Sequence, residues 1–240
     1  MALKYFLLSL LIFAAFSAMS NQTQSLKVVT EHNPPFNYQL RNDKIVGSAT
    51  NKVLEVLDEA KIDFTLNIYP WARSYKMALS QPNTLIYSIF RNKQREPLFQ
   101  WVCPLLPGDE LYLFSLKKND AIQLKNIEDL KKYKIGVVRE GIDSVYLKSQ
   151  GFKEGKELYP SSNDGINLKL LLQEKVDLII SGTPSIEKRL KNISQNLSIV
   201  RKVSFPELNK DIELCMAFSL NTPSHIVDKV RTALHKVNSN

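Results

Sequence analysis

The stretch LKVVTEHNPPFNYQLRNDKIVGSATNKVLEVLDEAKIDFTLNIY, residues 26–69, decides the fold of this 240-residue chain. Its apolar runs at 26–30 and 64–69 have the composition of buried strands. Residues 49–60, which lie between them, carry apolar side chains three and four positions apart, the pattern of an amphipathic helix: Val53, Val56, Leu57 and Ala60. A strand, a helix and a strand in this order are typical of parallel sheets flanked by helices.

The same alternation continues along the rest of the chain. The predicted elements are a helix at 71–79, strands at 84–89 and 111–116, a short helix capped by Asn126, a strand at 134–138, a helix after Gly141, a helix at 163–173, a strand at 176–180, a helix with Pro184 in its first turn, a strand at 211–220 and a helix opened by Thr222-Pro223. They form two series of similar size, which predicts an α/β fold of two lobes, each a mostly parallel sheet with flanking helices.

The N-terminus predicts export. Lys4 precedes an uncharged run from Tyr5 to Phe16 and small residues near Ser20, the pattern of a secretory signal peptide cleaved near Ser20. The run is too short to span a bilayer comfortably. We therefore expect a soluble, monomeric periplasmic protein.

Segments with proline and glycine indicate where the chain crosses between lobes. Residues 104–109 read Pro-Leu-Leu-Pro-Gly-Asp and suit one crossing, and the strand-like segment 211–220 suits the other. The predicted organisation is a signal peptide at 1–20, the first part of lobe 1 at 21–107, lobe 2 at 108–214, and a return to lobe 1 with a C-terminal helix at 215–240.

Composition excludes several functions. Without Lys4 the net charge is +7, but the basic clusters lie beside predicted helix ends and no nucleic-acid-binding signature accompanies them. Neither a G-x-S-x-G nor an H-E-x-x-H motif is present, so we expect no enzyme activity, metal or cofactor.

Cys103 and Cys215 permit a disulfide in an exported chain, although their apolar contexts favour buried free thiols.

Polar and aromatic side chains follow three first-lobe strands. They are Glu31 after the first strand, Trp71 after the second, and Ser88, Arg91 and Arg95 at the third. The carboxyl ends of strands line the ligand crevice in open α/β sheets. An arginine there matches a carboxylate with two parallel hydrogen bonds, and Trp71 suits an apolar wall. The alternatives are core packing for Trp71 and a solvated loop for either arginine.

The second lobe offers a loop from Gly136 to Gly141 between a strand and a helix. Its glycine spacing is that of a phosphate loop, but Ile142 and Asp143 stand where lysine and a hydroxyl residue are required. The general property that remains is a set of backbone N–H groups that can face an anion.

Taken in order, these segments resemble the family 3 extracellular solute-binding proteins, the periplasmic receptors for polar amino acids, over nearly all of the mature chain. The resemblance rests on Pro34-Pro35-Phe36, Lys44-Ile45-Val46-Gly47, the segment from Arg95 to Phe99 and Trp101, Asn126-Ile127-Glu128-Asp129-Leu130-Lys131 before Lys134-Ile135-Gly136-Val137-Val138, and Val176-Asp177-Leu178. It implies a type II periplasmic binding fold that closes around a ligand, and an inner-membrane ABC transporter as partner.

The resemblance also implies roles for individual residues. Arg95 matches the arginine that binds the ligand carboxylate, and Ser88, Trp71 and Glu31 match further contacts of the first lobe. In the second lobe the carboxylate-binding loop is matched by Arg139, Gly141 and Asp143.

Two positions depart from that pattern. Gly182 replaces the aspartate that usually holds the α-amine, and Asn33 stands where an aromatic residue often stacks. Arg91 adds a cation near Arg95, which favours a more anionic ligand or an amine held elsewhere. Asp143 is the first candidate to hold such an amine, with Glu31 and the face of Trp71 as alternatives, although near a helix N-terminus Asp143 can equally act as a capping acid. The alternatives to a receptor are an enzyme similar to cyclohexadienyl dehydratase, with Glu31, Asp143 or Glu140 as acid or base, and an interaction protein with a vestigial pocket.

Overall fold

The structure is a computed structural model that describes residues 25–107, 110–119, 122–204, 209 and 213–239. The predicted signal peptide and its cleavage site lie outside these residues, as do 108–109 and 211–212 of the two predicted crossings. In the described part of the chain, no helix has both the length and the apolar character needed to cross a membrane.

Twelve strands and six α-helices are described. The strands are β1 (Leu26–Thr30), β2 (Tyr38–Gln39), β3 (Ile45–Val46), β4 (Phe64–Ile68), β5 (Thr84–Arg91), β6 (Phe99–Val102), β7 (Leu111–Leu116), β8 (Ile135–Val138), β9 (Leu158–Ser161), β10 (Leu178–Gly182), β11 (Val200–Ser204) and β12 (Glu213–Ser219); the helices are α1 (Ser48–Glu59), α2 (Trp71–Ser80), α3 (Ile142–Ser149), α4 (Asp164–Leu172), α5 (Thr183–Asn192) and α6 (Ser224–Ser239). Three short 3₁₀ helices join them at Glu96–Leu98, Ile127–Lys132 and Leu197–Ile199.

The first lobe is built on a five-stranded sheet in the order β4-β1-β5-β12-β6. Strand β1 runs parallel to β4 and β5, whereas β12 is antiparallel to both β5 and β6. One face packs against the apolar stripes of α1 and α6, for example Val56 and Val230, and the other face packs against α2 through Ala78. The helices thus cover both faces and leave the sheet edges at the carboxyl ends of β1 and β5 for a site.

The second lobe is built on a sheet in the order β11-β7-β10-β8-β9. Strands β8, β9 and β10 pair in parallel, and β7 pairs antiparallel with β10 and β11. Leu147 of α3 packs on one face, while Leu171 of α4 and Leu190 of α5 pack on the other.

The predicted α/β fold of two lobes is confirmed, with a difference in strand direction. Each sheet contains two parallel and two antiparallel pairings, because β12 and β7 enter the sheets from the crossings. The hairpin β2–β3 and the strands β6, β9 and β11 were not predicted from the sequence. These strands have four or five residues, β9 contains a proline, and β11 carries two charged residues, so none shows a sustained apolar run.

A disulfide ties the two crossing segments together. Cys103 follows β6 and Cys215 lies within β12, and their sulfur atoms are 2.01 Å apart. Leu105 N–H also donates to the Leu214 carbonyl at 2.9 Å. The expectation of free thiols was wrong because antiparallel pairing of β6 with β12 brings the two Cα atoms to 4.7 Å across a separation of 112 residues.

Removal of this disulfide should lower the stability of the protein. The Cys103→Ser/Cys215→Ser double variant loses a cross-link that restricts the unfolded chain, so we expect its free energy of unfolding to fall by about 2 to 4 kcal/mol. Urea unfolding followed by circular dichroism measures the change. A reductant should shift the wild-type transition to the same midpoint and leave the double variant unaffected. Equal midpoints for the oxidised wild type and the double variant would contradict the prediction.

Candidate functional site

A cavity of about 90 Å³ lies between the two lobes. It is smaller than the ~300 Å³ at which pockets for drug-sized ligands begin, so it suits a small solute. Its lining residues come from both lobes: Glu31, Asn33, Phe36, Trp71, Ser88, Phe90, Arg95, Leu111, Val138, Gly141, Ile142, Asp143, Asp164, Ile180, Ser181, Gly182, Ser185 and Leu214. The lining includes the carboxyl ends of β8 and β10 and the residue after β1, the edge at which α/β sheets place ligands.

Six of the eight predicted ligand-binding residues line this cavity: Glu31, Trp71, Ser88, Arg95, Gly141 and Asp143. The other two lie outside it. Arg91 donates from Nε and Nη2 to the Glu96 carboxylate at 2.6 and 2.7 Å, and Arg139 is exposed on the loop after β8. The second cation that the sequence suggested for the site is therefore neutralised at the surface.

Arg95 is held rigidly at the cavity wall, with its side chain only 4% exposed. Its Nη1 donates to the Phe90 carbonyl at 3.1 Å and its Nη2 to the Glu140 carbonyl at 3.2 Å. The guanidinium also lies 5.3 Å from the ring centroid of Trp71 and 5.1 Å from that of Tyr75. A guanidinium has five N–H donors, so donors remain for a ligand carboxylate.

Trp71 combines the two roles that the sequence left open. Trp71 is the first residue of α2, and its ring packs in the core, stacked on Tyr75 at 5.8 Å between centroids. The ring also lines the cavity. The indole Nε1 donates to the Glu140 carbonyl at 2.7 Å. Trp71 therefore links the two lobes by a hydrogen bond and also forms part of the cavity wall.

Ser88 sits on a β-bulge in β5. Cys215 of β12 pairs with Ile89 and Met216 pairs with Tyr87, which leaves Ser88 without a partner at a backbone φ of 58°. Such a left-handed conformation costs a non-glycine residue about 1 to 3 kcal/mol, and bulges often redirect a side chain at a functional site. The Ser88 hydroxyl is buried at the cavity with no hydrogen-bond partner.

Glu140 was not predicted as part of the interlobe contact. Its backbone φ of 59° accompanies a carbonyl group that accepts hydrogen bonds from both Trp71 and Arg95 of the first lobe. Its own side chain is exposed. The sequence carries no signal for this contact between the lobes, because the acceptor is a backbone atom.

Asp143 occupies the position in which an anion was expected. The residue is 6% exposed, and its carboxyl group accepts a hydrogen bond at 3.4 Å from the N–H of Val138, the last residue of β8. It also accepts backbone hydrogen bonds from Asp143 and Ser144 in the first turn of α3. Gly141 makes room for it, because a Cβ atom at Gly141 would lie 2.3 Å from Asp143 Oδ1 and 2.9 Å from the Val138 carbonyl oxygen. The capping role that the sequence allowed for Asp143 is thus present in the structure.

A second contact between the lobes involves residues that the sequence analysis did not select. Asn33 Oδ1 accepts hydrogen bonds from Ser185 Oγ and Arg189 Nη2, both at 2.9 Å. Arg189 is 7% exposed and its Nη2 also lies 3.5 Å from Asp164 Oδ2. Ser185 and Arg189 are four residues apart and therefore lie on the same face of α5. This spacing was the signal in the sequence that could have identified them as a pair.

The carboxyl groups of the cavity have perturbed acidities. Burial raises the pKa of Glu31 to about 8, with Asp164 adding to the shift and Arg189 opposing it. Burial also raises the pKa of Asp143 to about 7, helped by Asp164 and opposed by backbone N–H groups. The pKa of Asp164 is raised by burial against the opposing effect of Arg189.

Comparison with solved structures identifies the fold. An ancestral arginine-binding protein bound to arginine aligns with a TM-score of 0.76 at 19% identity, covering 90% of this chain and 93% of the other. A histidine kinase sensor domain with similarity to periplasmic binding proteins aligns at 0.75 and 15% identity, covering 90% and 91%. The arginine-, lysine-, histidine-binding protein ArtJ from Geobacillus stearothermophilus aligns at 0.71 and 22% identity, covering 90% of each.

These similarities show that the chain has the type II periplasmic binding fold. No protein-family model matches the sequence. No curated protein matches it either. The fold that the sequence resemblance implied is therefore confirmed, while at these identities the function rests on the site itself.

The raised pKa of Glu31 predicts how stability depends on pH. The folded state binds a proton on Glu31 more tightly than the unfolded chain does, so the stabilisation is complete below about pH 4.5 and is lost as pH rises through about 8. We expect the melting temperature of the ligand-free protein to fall between about pH 5 and pH 9. Glu31→Gln should flatten this profile, and the exposed helix variant Glu55→Gln should not. An unchanged profile in Glu31→Gln would contradict the assignment.

Proposed function

We propose that this protein is a periplasmic solute receptor that captures a small carboxylate-bearing solute, an amino acid or a related compound, in the cavity between its lobes. The observation that carries the proposal is the cavity wall made by Arg95 and Ser88. It combines a buried guanidinium that has N–H donors to spare with a buried hydroxyl that has no partner.

The carboxylate of the solute would lie against Arg95 and Ser88. Arg95 is fixed by two carbonyl groups and two aromatic rings, so it need not lose much side-chain freedom when it binds. The Ser88 hydroxyl would gain its missing hydrogen bond. The α3 N-terminus contributes less than the sequence suggested, because the Asp143 carboxyl already accepts hydrogen bonds there.

Closure of the lobes would complete the site. The Glu140 carbonyl and the Asn33 side chain accept hydrogen bonds across the cleft, so the described conformation is a closed one. A solute enters when these contacts open and is enclosed when they re-form.

The predicted signal peptide supports a periplasmic location, and delivery of the solute to an inner-membrane ABC transporter is the simplest use of a soluble receptor there. The similarity to a histidine kinase sensor domain keeps a sensory role as a variant of the same binding function. A monomer is sufficient, because the cavity is lined by one chain.

Loss of Arg95 tests the proposal directly. Arg95→Ala should weaken binding of the solute found in a thermal-shift screen of amino acids and dicarboxylates by about 2 to 4 kcal/mol, because it removes the buried partner of the carboxylate. Arg95→Lys should also bind poorly, since an ammonium cannot replace the planar fork. Titration calorimetry measures both effects.

Arg91→Ala is the matched control, because Arg91 lies outside the cavity and pairs with Glu96 at the surface. Its affinity should equal that of the wild type. A folded Arg95→Ala protein with wild-type affinity would remove Arg95 from the site, and a screen without any hit would count against the receptor role.

Opening of the cleft gives a further test. Asn33→Ala removes the acceptor shared by Ser185 and Arg189, so the ligand-free variant should populate the open form more than the wild type does. Small-angle scattering should show a larger radius of gyration for the variant, which saturating ligand reverses. Identical profiles with and without ligand in both proteins would argue for a rigid receptor.

An enzyme on the same scaffold remains the second candidate, and one observation favours it. Glu31 and Asp143 have pKa values of about 8 and about 7 in an enclosed cavity, the range suited to a general acid or base. Turnover of prephenate or arogenate, abolished by Glu31→Gln, would decide for this reading. Glu140 cannot take the role, because its side chain is exposed.

A further inference from the structure

The charges that line the cavity are unbalanced. Three carboxyl groups face it, Glu31 from the first lobe and Asp143 and Asp164 from the second, whereas Arg95 is the one cationic side chain among the described lining residues. Ionised carboxyl groups in an enclosed cavity are unfavourable unless a positive group neutralises them. Even with the buried Arg189, which lies 3.5 Å from Asp164, two cations stand against three carboxyl groups, so the fully ionised cluster needs one more positive charge.

The partners of the three carboxyl groups show where that charge belongs. Asp143 accepts backbone hydrogen bonds at the start of α3, and Asp164 lies 3.5 Å from Arg189. Within the part of the chain that the structure describes, no hydrogen bond or ion pair reaches the Glu31 carboxyl group. Glu31 is thus the cavity acid without a partner.

A second feature of the cavity, independent of the acids, also indicates a ligand. The Ser88 hydroxyl lines the same space, its side chain is 8% exposed, and its oxygen makes no hydrogen bond. A buried polar atom left unpaired costs about 1 to 3 kcal/mol, so a site that keeps one on a strained bulge has a use for it.

We propose that Glu31, Asp143 and Asp164 together bind the cationic part of a ligand that carries a net positive charge, an ammonium or guanidinium solute. The inference rests on the receptor function proposed above and names the charge class of the solute. Arg95 and Ser88 bind the carboxylate of this solute, and the acids of both lobes bind its cationic group. Of the two alternatives that Arg91 raised from the sequence, this inference follows the amine held elsewhere and not the more anionic ligand.

The arrangement of the acids links this ligand to closure. Closing the lobes moves Glu31 of the first lobe toward Asp143 and Asp164 of the second. In their ionised forms these carboxyl groups repel one another, so without a cation the closed form retains protons on them. A cation that bridges them removes the repulsion and makes the closed form favourable. A positively charged solute would therefore favour closure, whereas a neutral or negative one would not.

Protons compete with the cation for the same carboxyl groups. The charged groups that act on Glu31 are Asp164 and Asp143, which raise its pKa, and Arg189 and Arg95, which lower it; nearby His32 has a pKa lowered by burial and by Arg189. Because the pKa of Glu31 is about 8 and that of Asp143 about 7, a cation that binds these groups at pH 7 or below must displace protons. Affinity for a cationic solute should therefore rise from about pH 6 to about pH 8, with release of protons.

Three compounds of similar length test the charge class: L-ornithine, L-norvaline and L-glutamate, with net charges of plus one, zero and minus one. Titration calorimetry at about pH 8 should give L-ornithine an affinity at least about tenfold above L-norvaline, since a buried charge pair is worth more than ~1.4 kcal/mol, and no measurable binding of L-glutamate. In two buffers of different ionisation enthalpy at about pH 7, L-ornithine binding should release protons.

Variants locate the effect. Glu31→Gln and Asp164→Asn should each reduce the affinity for L-ornithine about tenfold or more, change that for L-norvaline much less, and Glu31→Gln should reduce the proton release. Glu55→Gln, an exposed acid on α1, is the control and should behave as the wild type.

The wild-type comparison stands even where a variant fails to fold. Binding of L-norvaline or L-glutamate at least as tight as that of L-ornithine would overturn the inference and leave the receptor function intact. Absence of binding by all three compounds and by the wider screen would overturn both.

Discussion

The carbonyl oxygen of Glu140 is the atom on which the closed site depends. It accepts hydrogen bonds from Trp71 and Arg95, so one backbone acceptor of the second lobe fixes both side chains of the first lobe that form the cavity wall. The left-handed backbone at Glu140 directs this carbonyl group across the cleft. Gly141, which follows directly, lets the Asp143 carboxyl fold back over the start of α3.

The consequence is a cavity in which the two lobes supply different chemistry. The first lobe contributes a guanidinium that lies against the rings of Trp71 and Tyr75 and a hydroxyl on a bulge, both suited to a carboxylate. The second lobe contributes acids, which together with Glu31 suit a positive group. A solute that spans both parts would be recognised by its two ends, and each lobe alone would hold only a fraction of it.

The crossing segments decide how the lobes can move. Strand β12 returns from the second lobe and enters the first sheet between β5 and β6, where the disulfide joins it to the end of β6. The bulge at Ser88 lies opposite this same returning strand. The backbone of Ser88, which lines the cavity, is therefore shaped by pairing with the strand that also carries part of the link between the lobes.

The sequence by itself determined the two-lobe α/β fold and several of the first-lobe residues that line the cavity. Apolar runs and helical spacing are local patterns, and residues that follow parallel strands meet at one edge, which is why Glu31, Trp71, Ser88 and Arg95 were found. Only the tertiary structure decided that Arg91 faces Glu96 outside the cavity and that Cys103 is bonded to Cys215. It alone also brought Asp164 to the cavity and Arg189 against Asn33. Strand β9, which precedes Asp164, was not predicted, and the i, i+4 spacing of Ser185 and Arg189 does not tell which part of the protein that face of α5 contacts. Contacts between residues far apart in the chain depend on how sheets pair and lobes dock, and no periodicity along the sequence records that.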